Sequence, residues 1–142
     1  MNQEVIKRAE ETIQKRVGHG TYCTMALIDL NGYPTASTIT ASKADGIKWV
    51  SFCTGIGSNK PNRIRKCNLA SICFNADDYN ITLDGKIDIV TDPEVKKEMW
   101  YEGLANHFNG PDDPNYCVLL FKTERYNIFF IDGAMAVGSL EL

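Results

Sequence analysis

No apolar run in this sequence approaches the ~20 residues that a membrane-spanning helix needs, which argues against a membrane-embedded protein. A signal-peptide core is also missing. The opening stretch "MNQEVIKRAEETIQKRVG" is charged throughout, so a cytoplasmic protein is expected. Excess positive charge is absent: fifteen Lys and Arg against eighteen Asp and Glu give −3. A phosphate backbone calls for a net basic face, so nucleic acid is not expected as a partner. Histidine is scarce. His19 and His107 lack metal-ligand spacing to any acidic or thiol partner, and neither is assigned a metal or acid–base role. Cys23, Cys53, Cys67, Cys73 and Cys117 are odd in number and form no CxxC pair. That excludes the usual signs of a disulfide framework or a zinc site and leaves small buried apolar residues. The familiar phosphate motifs fail as well. Nothing matches GxxxxGK[ST], and after Gly55-Ile56-Gly57 the third glycine of a dinucleotide fingerprint is replaced by Lys60.

What is present describes one domain spanning residues 1–142, with 44% hydrophobic and 23% charged residues, ordinary for a globular chain. Val5, Ile6, Ala9, Ile13 and Val17 recur at helical spacing and predict an amphipathic helix ending near Gly18. "TYCTMALIDLNGYPTASTITAS" reads as two β-rich runs around an Asn31-Gly32 hairpin turn of type I′. "GIKWVSFCT" is a third strand, introduced by Asp45-Gly46. Pro61 predicts the first residue of a short helix. "LASICFN" is a fourth strand, and "YNITLDGKIDIVTD" a long strand with a bulge at Gly85. Asp92-Pro93 marks the start of a helix through "PEVKKEMWYEGLANHF". A loop, "NGPDDPN", precedes two closing strands, "YCVLLFKTE" and "YNIFFIDG". The short connections point to a mainly β, antiparallel sheet curled into a barrel with helices outside it, an α+β arrangement.

One stretch, "SFCTGIGSNKPNRIRK", draws attention in a chain of net negative charge. An apolar strand ends in two glycines and hands over to a basic helix. If Pro61 opens that helix, Lys60 is its cap, and its ammonium lies beside the free first-turn N–H groups and the positive end of the helix dipole. Ser58 and Asn59 add side-chain donors, and Thr54 leaves the strand toward the same place. A dianionic phosphate would satisfy that corner. The alternative is a plain surface helix capped by Ser58 or Asn59, with Arg63 and Arg65 facing water.

The chain resembles the FMN-binding split barrels of the pyridoxamine 5'-phosphate oxidase-like superfamily, and within it the general stress protein branch. The resemblance rests on "NGYPTASTITAS", "KWVSFCTGIGSNK", "NRIRKCNLASICF" and "DDPNYCVLLFKTERYNIFFIDG", in that order. It implies a six-stranded antiparallel split barrel, a homodimer, and two FMN molecules in clefts at the dimer interface. It implies that Lys60 and Ser58 bind the FMN phosphate. Cys53 and Thr54 would follow the ribityl chain and phosphate, and Ser37, Thr38, Ile39 and Thr40 would run beside the flavin ring. Asn80 matches a position with an amide near the cofactor, and Phe130 an aromatic contributed by the other subunit. Ser37 and Asn59 stand where the oxidases carry arginines, which implies modest FMN affinity. Their C-terminal arginine and histidine segment is not found, so vitamin B6 activity is not carried over.

Trp49, Phe52 and Phe74 have strand spacing and read as barrel core. Trp100 and Tyr101 read as packing or dimer contacts on the third helix. Cys53, just before the glycine loop, reads as a buried thiol; a nucleophilic role is the alternative. The expected function is a cytoplasmic, homodimeric FMN protein passing electrons from a reduced nicotinamide to a small-molecule acceptor. A non-catalytic flavin carrier or sensor is the alternative, and a barrel that has dropped FMN is a third.

Overall fold

The computed structural model describes residues 2–140. In chain order these form helix α1 (Asn2–Gln14), strands β1 (Cys23–Ile28), β2 (Pro34–Ile39), β3 (Ala41–Asp45) and β4 (Trp49–Gly55), and helix α2 (Asn59–Lys66). Strands β5 (Leu69–Ala76) and β6 (Tyr79–Val90), helix α3 (Pro93–Met99), a 3-10 turn at Glu102–Asn106, β7 (Tyr116–Phe130) and β8 (Met135–Ser139) complete them. Among the described residues no helix is long and apolar enough to cross a membrane.

Every strand pairing is antiparallel, and the order β2-β1-β5-β6-β7-β4-β3 explains the barrel. Its two end strands, β2 and β3, are consecutive in sequence, separated only by Thr40. The edges of the sheet are thus joined through one residue, and the sheet must curl to allow it. If β2 and β3 are counted as halves of one bent strand, the wall has six strands, and β8 is added outside, on β7. The bend is held by Thr40 Oγ1 donating to Thr21 O (2.8 Å) and Gly18 N to Ala41 O (2.8 Å).

The inward face packs Met25, Phe52, Phe74, Phe121, Ile72 and Ile81, all fully buried. Trp49 differs from expectation. It is only partly buried and belongs to a second cluster with Met99, Leu104, Tyr116 and Val118, outside the barrel. Helix α1 places Val5, Ala9 and Ile13, four residues apart, in the main core. Arg16 then ties its end to the sheet, donating to Asn75 O (2.9 Å), Tyr22 O (2.6 Å) and the Tyr79 hydroxyl.

Several local readings need correction. The Asn31-Gly32 turn is not type I′, because only Gly32 has positive φ (88°). The Asp29 carboxylate takes over, accepting from the backbone N–H groups of Asn31 (2.9 Å) and Tyr33 (3.0 Å). The third helix stops at Met99, since Trp100 turns extended to set its ring edge-on to Tyr116 (5.3 Å). The two closing strands are one strand, β7. Their apparent break at Glu124-Arg125 is a bulge. Asp84 pairs with Arg125 and Gly85 with Thr123, so Glu124 is the extra residue, and it lies on β7, opposite Gly85. Beyond it the alternation inverts: Phe121 and Thr123 face in above the bulge, Ile128 and Phe130 below it. Strand β8 lies beyond the last expected element. Its Gly138 lets the Tyr126 hydroxyl approach to 2.6 Å from where a Cβ would sit.

The bulge leaves one polar atom stranded. Thr123 is 1% exposed and its Oγ1 has no hydrogen-bond partner. Thr123→Val, which keeps the shape and removes the orphan hydroxyl, is expected to raise stability by about 1 kcal/mol in a urea titration. A lower midpoint for the valine variant would show that the hydroxyl has a partner.

Candidate functional site

The basic corner is built where β4 ends. Helix α2 begins at Asn59, with Ser58 as its cap, not at Pro61; Lys60 is the second helical residue and Pro61 the third. Proline is tolerated there because a first-turn N–H has no intrahelical partner to lose. The shift changes the inventory of donors. Ser58 makes no side-chain cap bond; its hydroxyl donates instead to Gly55 O (2.7 Å) and lies 3.2 Å from Thr54 Oγ1. The backbone N–H groups of Asn59 and Lys60 therefore point outward uncapped, at the positive end of the helix.

Lys60 is half-buried, and no carboxylate lies within ion-pair distance of it among the described residues. Burial, reinforced by the neighbouring Arg63, pushes its pKa below the ordinary lysine value. A cation held against desolvation and a like charge is relieved by an anion. Arg63 is three residues on, on the same side of the helix. Arg65 is otherwise engaged, donating to Asn62 Oδ1 (2.8 Å) and Ile56 O (3.3 Å). Asn59 turns the other way and lines a 230 Å³ hollow with Asp29, Asn31, Asn62 and Arg63.

Thr54 also lines a cavity of about 350 Å³ with Ile39, Thr40, Cys53, Gly55, Tyr101, Leu104, His107 and Phe108. The bend, the end of β4 and the 3-10 turn are its walls. Four residues singled out from the sequence, Ile39, Thr40, Cys53 and Thr54, meet here. Cys53 Sγ lies 3.4 Å from both the Tyr116 hydroxyl and Met99 O. Desolvation raises its pKa, so it is held as a neutral thiol and is poorly suited to act as a nucleophile.

Ser37 and Thr38 lie on β2, whose only sheet partner is β1. Along its other edge alternate backbone N–H and C=O groups are left without a sheet partner. Ser37 is on the inward side, opposite Met25, and Thr38 on the outward side, opposite Thr24. Asn80 is on that outer face too, paired with Phe129 and bonded to Thr82 Oγ1 (3.0 Å). Phe130 points inward, 3% exposed, with the Arg8 guanidinium 3.9 Å from its ring. Within one chain, then, the structure joins Ile39, Thr40, Cys53, Thr54, Ser58 and Lys60 and leaves Asn80 and Phe130 elsewhere.

The residues that sequence reasoning missed are Tyr101, Phe108 and Phe129. Tyr101 lies past the end of α3, where the broken helix swings it over the cavity. Phe129 is the outward aromatic of the final strand, 39% exposed. Strand alternation alone would have paired an outward with an inward phenylalanine; only the bulge decides which is which.

The fold has solved counterparts. A Clostridium acetobutylicum protein related to general stress protein 26 of B. subtilis (pyridoxinephosphate oxidase family) superimposes with a TM-score of 0.82 at 22% identity, covering 99% of this chain and 97% of that one. A pyridoxamine 5'-phosphate oxidase-related, FMN-binding protein from Nostoc punctiforme gives 0.71 at 14%, covering 99% and 95%. A haem-binding protein from Mycobacterium smegmatis gives 0.72 at 17%, covering 95% of this chain and 57% of its own. At these identities the likeness is one of fold, and the fold alone does not choose the cofactor. Comparison with curated proteins gave no match. The pyridoxamine 5'-phosphate oxidase family model matches residues 9–130, most of the length, and the chain belongs to that family.

Proposed function

We propose that this chain is a homodimeric FMN-binding protein, with the flavin phosphate held at the Lys60 corner, that passes electrons from a reduced nicotinamide to a small acceptor. The observation that carries this reading is Lys60 itself: half-buried, without a carboxylate partner among the described residues, and flanked by two uncapped helix N–H groups. Ser58 and Thr54 add hydroxyls, and Arg63 adds positive field where the oxidases use arginines. The free edge of β2 offers backbone donors and acceptors to a flat ring with a polar rim. FMN, when bound, supplies hydride transfer. The protein's part is to bind, orient and shield; the cavity beside Thr54 contains no carboxylate to serve as a base.

Dimerisation is supported by the outer face of the sheet. Toward β2, β1 and β5 its residues are small: Ala36, Ala26, Thr38 and Thr24, with Ser71 and Cys73. Toward β7 and β8 stand Phe129, Met135 and Val137, 39%, 55% and 62% exposed. A two-fold axis would seat the large side chains of one copy on the small ones of the other. It would also bring a partner's Asn80 and Phe129 side toward a cleft that one chain leaves incomplete. Ala26→Arg, placed in the small half, is expected to give a folded monomer in light scattering with FMN affinity at least about tenfold lower. An arginine variant that stays dimeric would rule out this face.

The Lys60 ammonium also sets a pH dependence. A lysine with a depressed pKa holds an anion fully below that pKa and releases it as pH rises through it. FMN affinity is therefore expected to fall at a pH below the ordinary lysine value of 10.5, while Lys60→Arg keeps its affinity to higher pH. Parallel pH profiles for the two proteins would remove Lys60 from the phosphate site.

The activity is tested by anaerobic mixing of the FMN-loaded protein with a reduced nicotinamide. Rapid loss of the yellow absorbance supports an oxidoreductase. Persistent colour would favour the second reading, a flavin carrier or sensor, and a protein that ignores added FMN would contradict both.

A further inference from the structure

We infer that the cavity between the end of β4 and the 3-10 turn is a seat for an uncharged, planar molecule carrying a hydrogen-bond acceptor, with the Tyr101 hydroxyl as its donor. Its role as the co-substrate seat beside the cofactor rests on the flavin reading; its existence does not.

The lining is the first argument. Ile39, Leu104, Phe108 and the Cys53 thiol supply apolar and aromatic surface, and no Lys, Arg, Asp or Glu reaches the cavity. Burial raises the pKa of both Cys53 and Tyr101, so neither brings a negative charge. An ionised guest would be desolvated there with nothing to pair it. The volume, about 350 Å³, suits a bicyclic ring.

The donor is found by elimination. Thr40 commits its proton to Thr21 O (2.8 Å), and Thr54 shares its hydroxyl with Ser58 (3.2 Å). The phenol of Tyr101 is the remaining hydroxyl in the wall.

The cavity is also preformed. Phe108 packs on Tyr116 (5.4 Å between ring centres), whose hydroxyl donates to Lys96 O (2.7 Å). Lys96 Nζ in turn donates to Asp113 O (2.9 Å), and Ile56 N to Asn115 O (2.8 Å), pinning the outer wall to the phosphate corner. Gly103 lies so close under the His19 ring that a Cβ there would come within 2.1 Å of Nδ1. Thr54 belongs to both the cavity and the Lys60 corner, so a ligand anchored by phosphate would lie alongside a guest in the cavity.

The test uses calorimetry with coumarin, a neutral bicyclic lactone that needs no redox chemistry, and coumarin-3-carboxylate as its anionic analogue. One coumarin per chain is expected to bind, with or without FMN. The carboxylate should bind at least about tenfold more weakly. Tyr101→Phe should weaken coumarin about 2–10-fold, the scale of one neutral hydrogen bond, and leave FMN affinity unchanged. His107→Trp, at the exposed mouth, should hinder entry and serves if Tyr101→Phe does not fold. Coumarin that displaces FMN, equal binding of the two coumarins, or coumarin affinity untouched by both variants would overturn the inference. Coumarin binding of the expected pattern in a protein that takes up no FMN would leave the seat standing and defeat the flavin reading instead.

Discussion

Lys60→Ala is expected to weaken FMN binding by about 1.5–3 kcal/mol, the scale of hydrogen bonds to a charged group, or roughly 10–150-fold in Kd. The reason lies in the strand-to-helix corner. Ser58 spends its hydroxyl on Gly55 O, so the first turn of α2 is not capped from within. Lys60 lacks a carboxylate partner among the described residues while it is partly desolvated. Removing it takes away the one cation held against the free N–H groups; Arg63 remains nearby and sets a lower limit to the residual affinity. Because Lys60 is only partly buried and packs in neither apolar cluster, the same change should shift the urea midpoint little. An affinity unaltered by the alanine would remove the anchor.

Gly85→Val carries the largest expected effect on stability. A Cβ at Gly85 would lie 2.0 Å from Lys122 O, 3.0 Å from its carbonyl carbon and 3.1 Å from Glu124 N. All three are backbone atoms of β7 at the bulge, and none can rotate away. Relief requires breaking the register between β6 and β7, the most extensively paired strands of the sheet. The expected loss is therefore about 3 kcal/mol or more, at or above the upper end of ordinary overpacking. Gly57→Ala, where nothing lies within 4 Å of the added carbon, is the matched control and should be close to neutral. Equal midpoints for the two variants would show that the bulge adapts.

These two positions also show how far local sequence reaches. Gly85 in a strand pattern announced a bulge, and Asp92 before Pro93 announced a helix cap; the Asp92 side chain does accept from Glu94 N (2.9 Å). Ser58, Thr54 and Lys60 could be grouped because they lie within seven residues of one another. What failed depended on distant parts of the chain. The third helix breaks because Trp100 has a ring to meet on β7, and nothing near Trp100 records it. Tyr101 and Phe108 reach the cavity only after the sheet has closed through Thr40. Which of Phe129 and Phe130 faces outward follows from the extra residue at Glu124, which a reading of two separate strands leaves out. Strand β8 is five residues long and contains Gly138, a weak pattern that becomes a strand because β7 extends beyond the end of β4.

The most direct measurement compares FMN with riboflavin, which lacks only the phosphate, on the wild-type protein and on Lys60→Ala. FMN is expected to bind the wild type more tightly than riboflavin, and most of that advantage should vanish in the alanine variant. Equal affinities of the two flavins for the wild type, or a phosphate advantage that survives the loss of Lys60, would contradict the account.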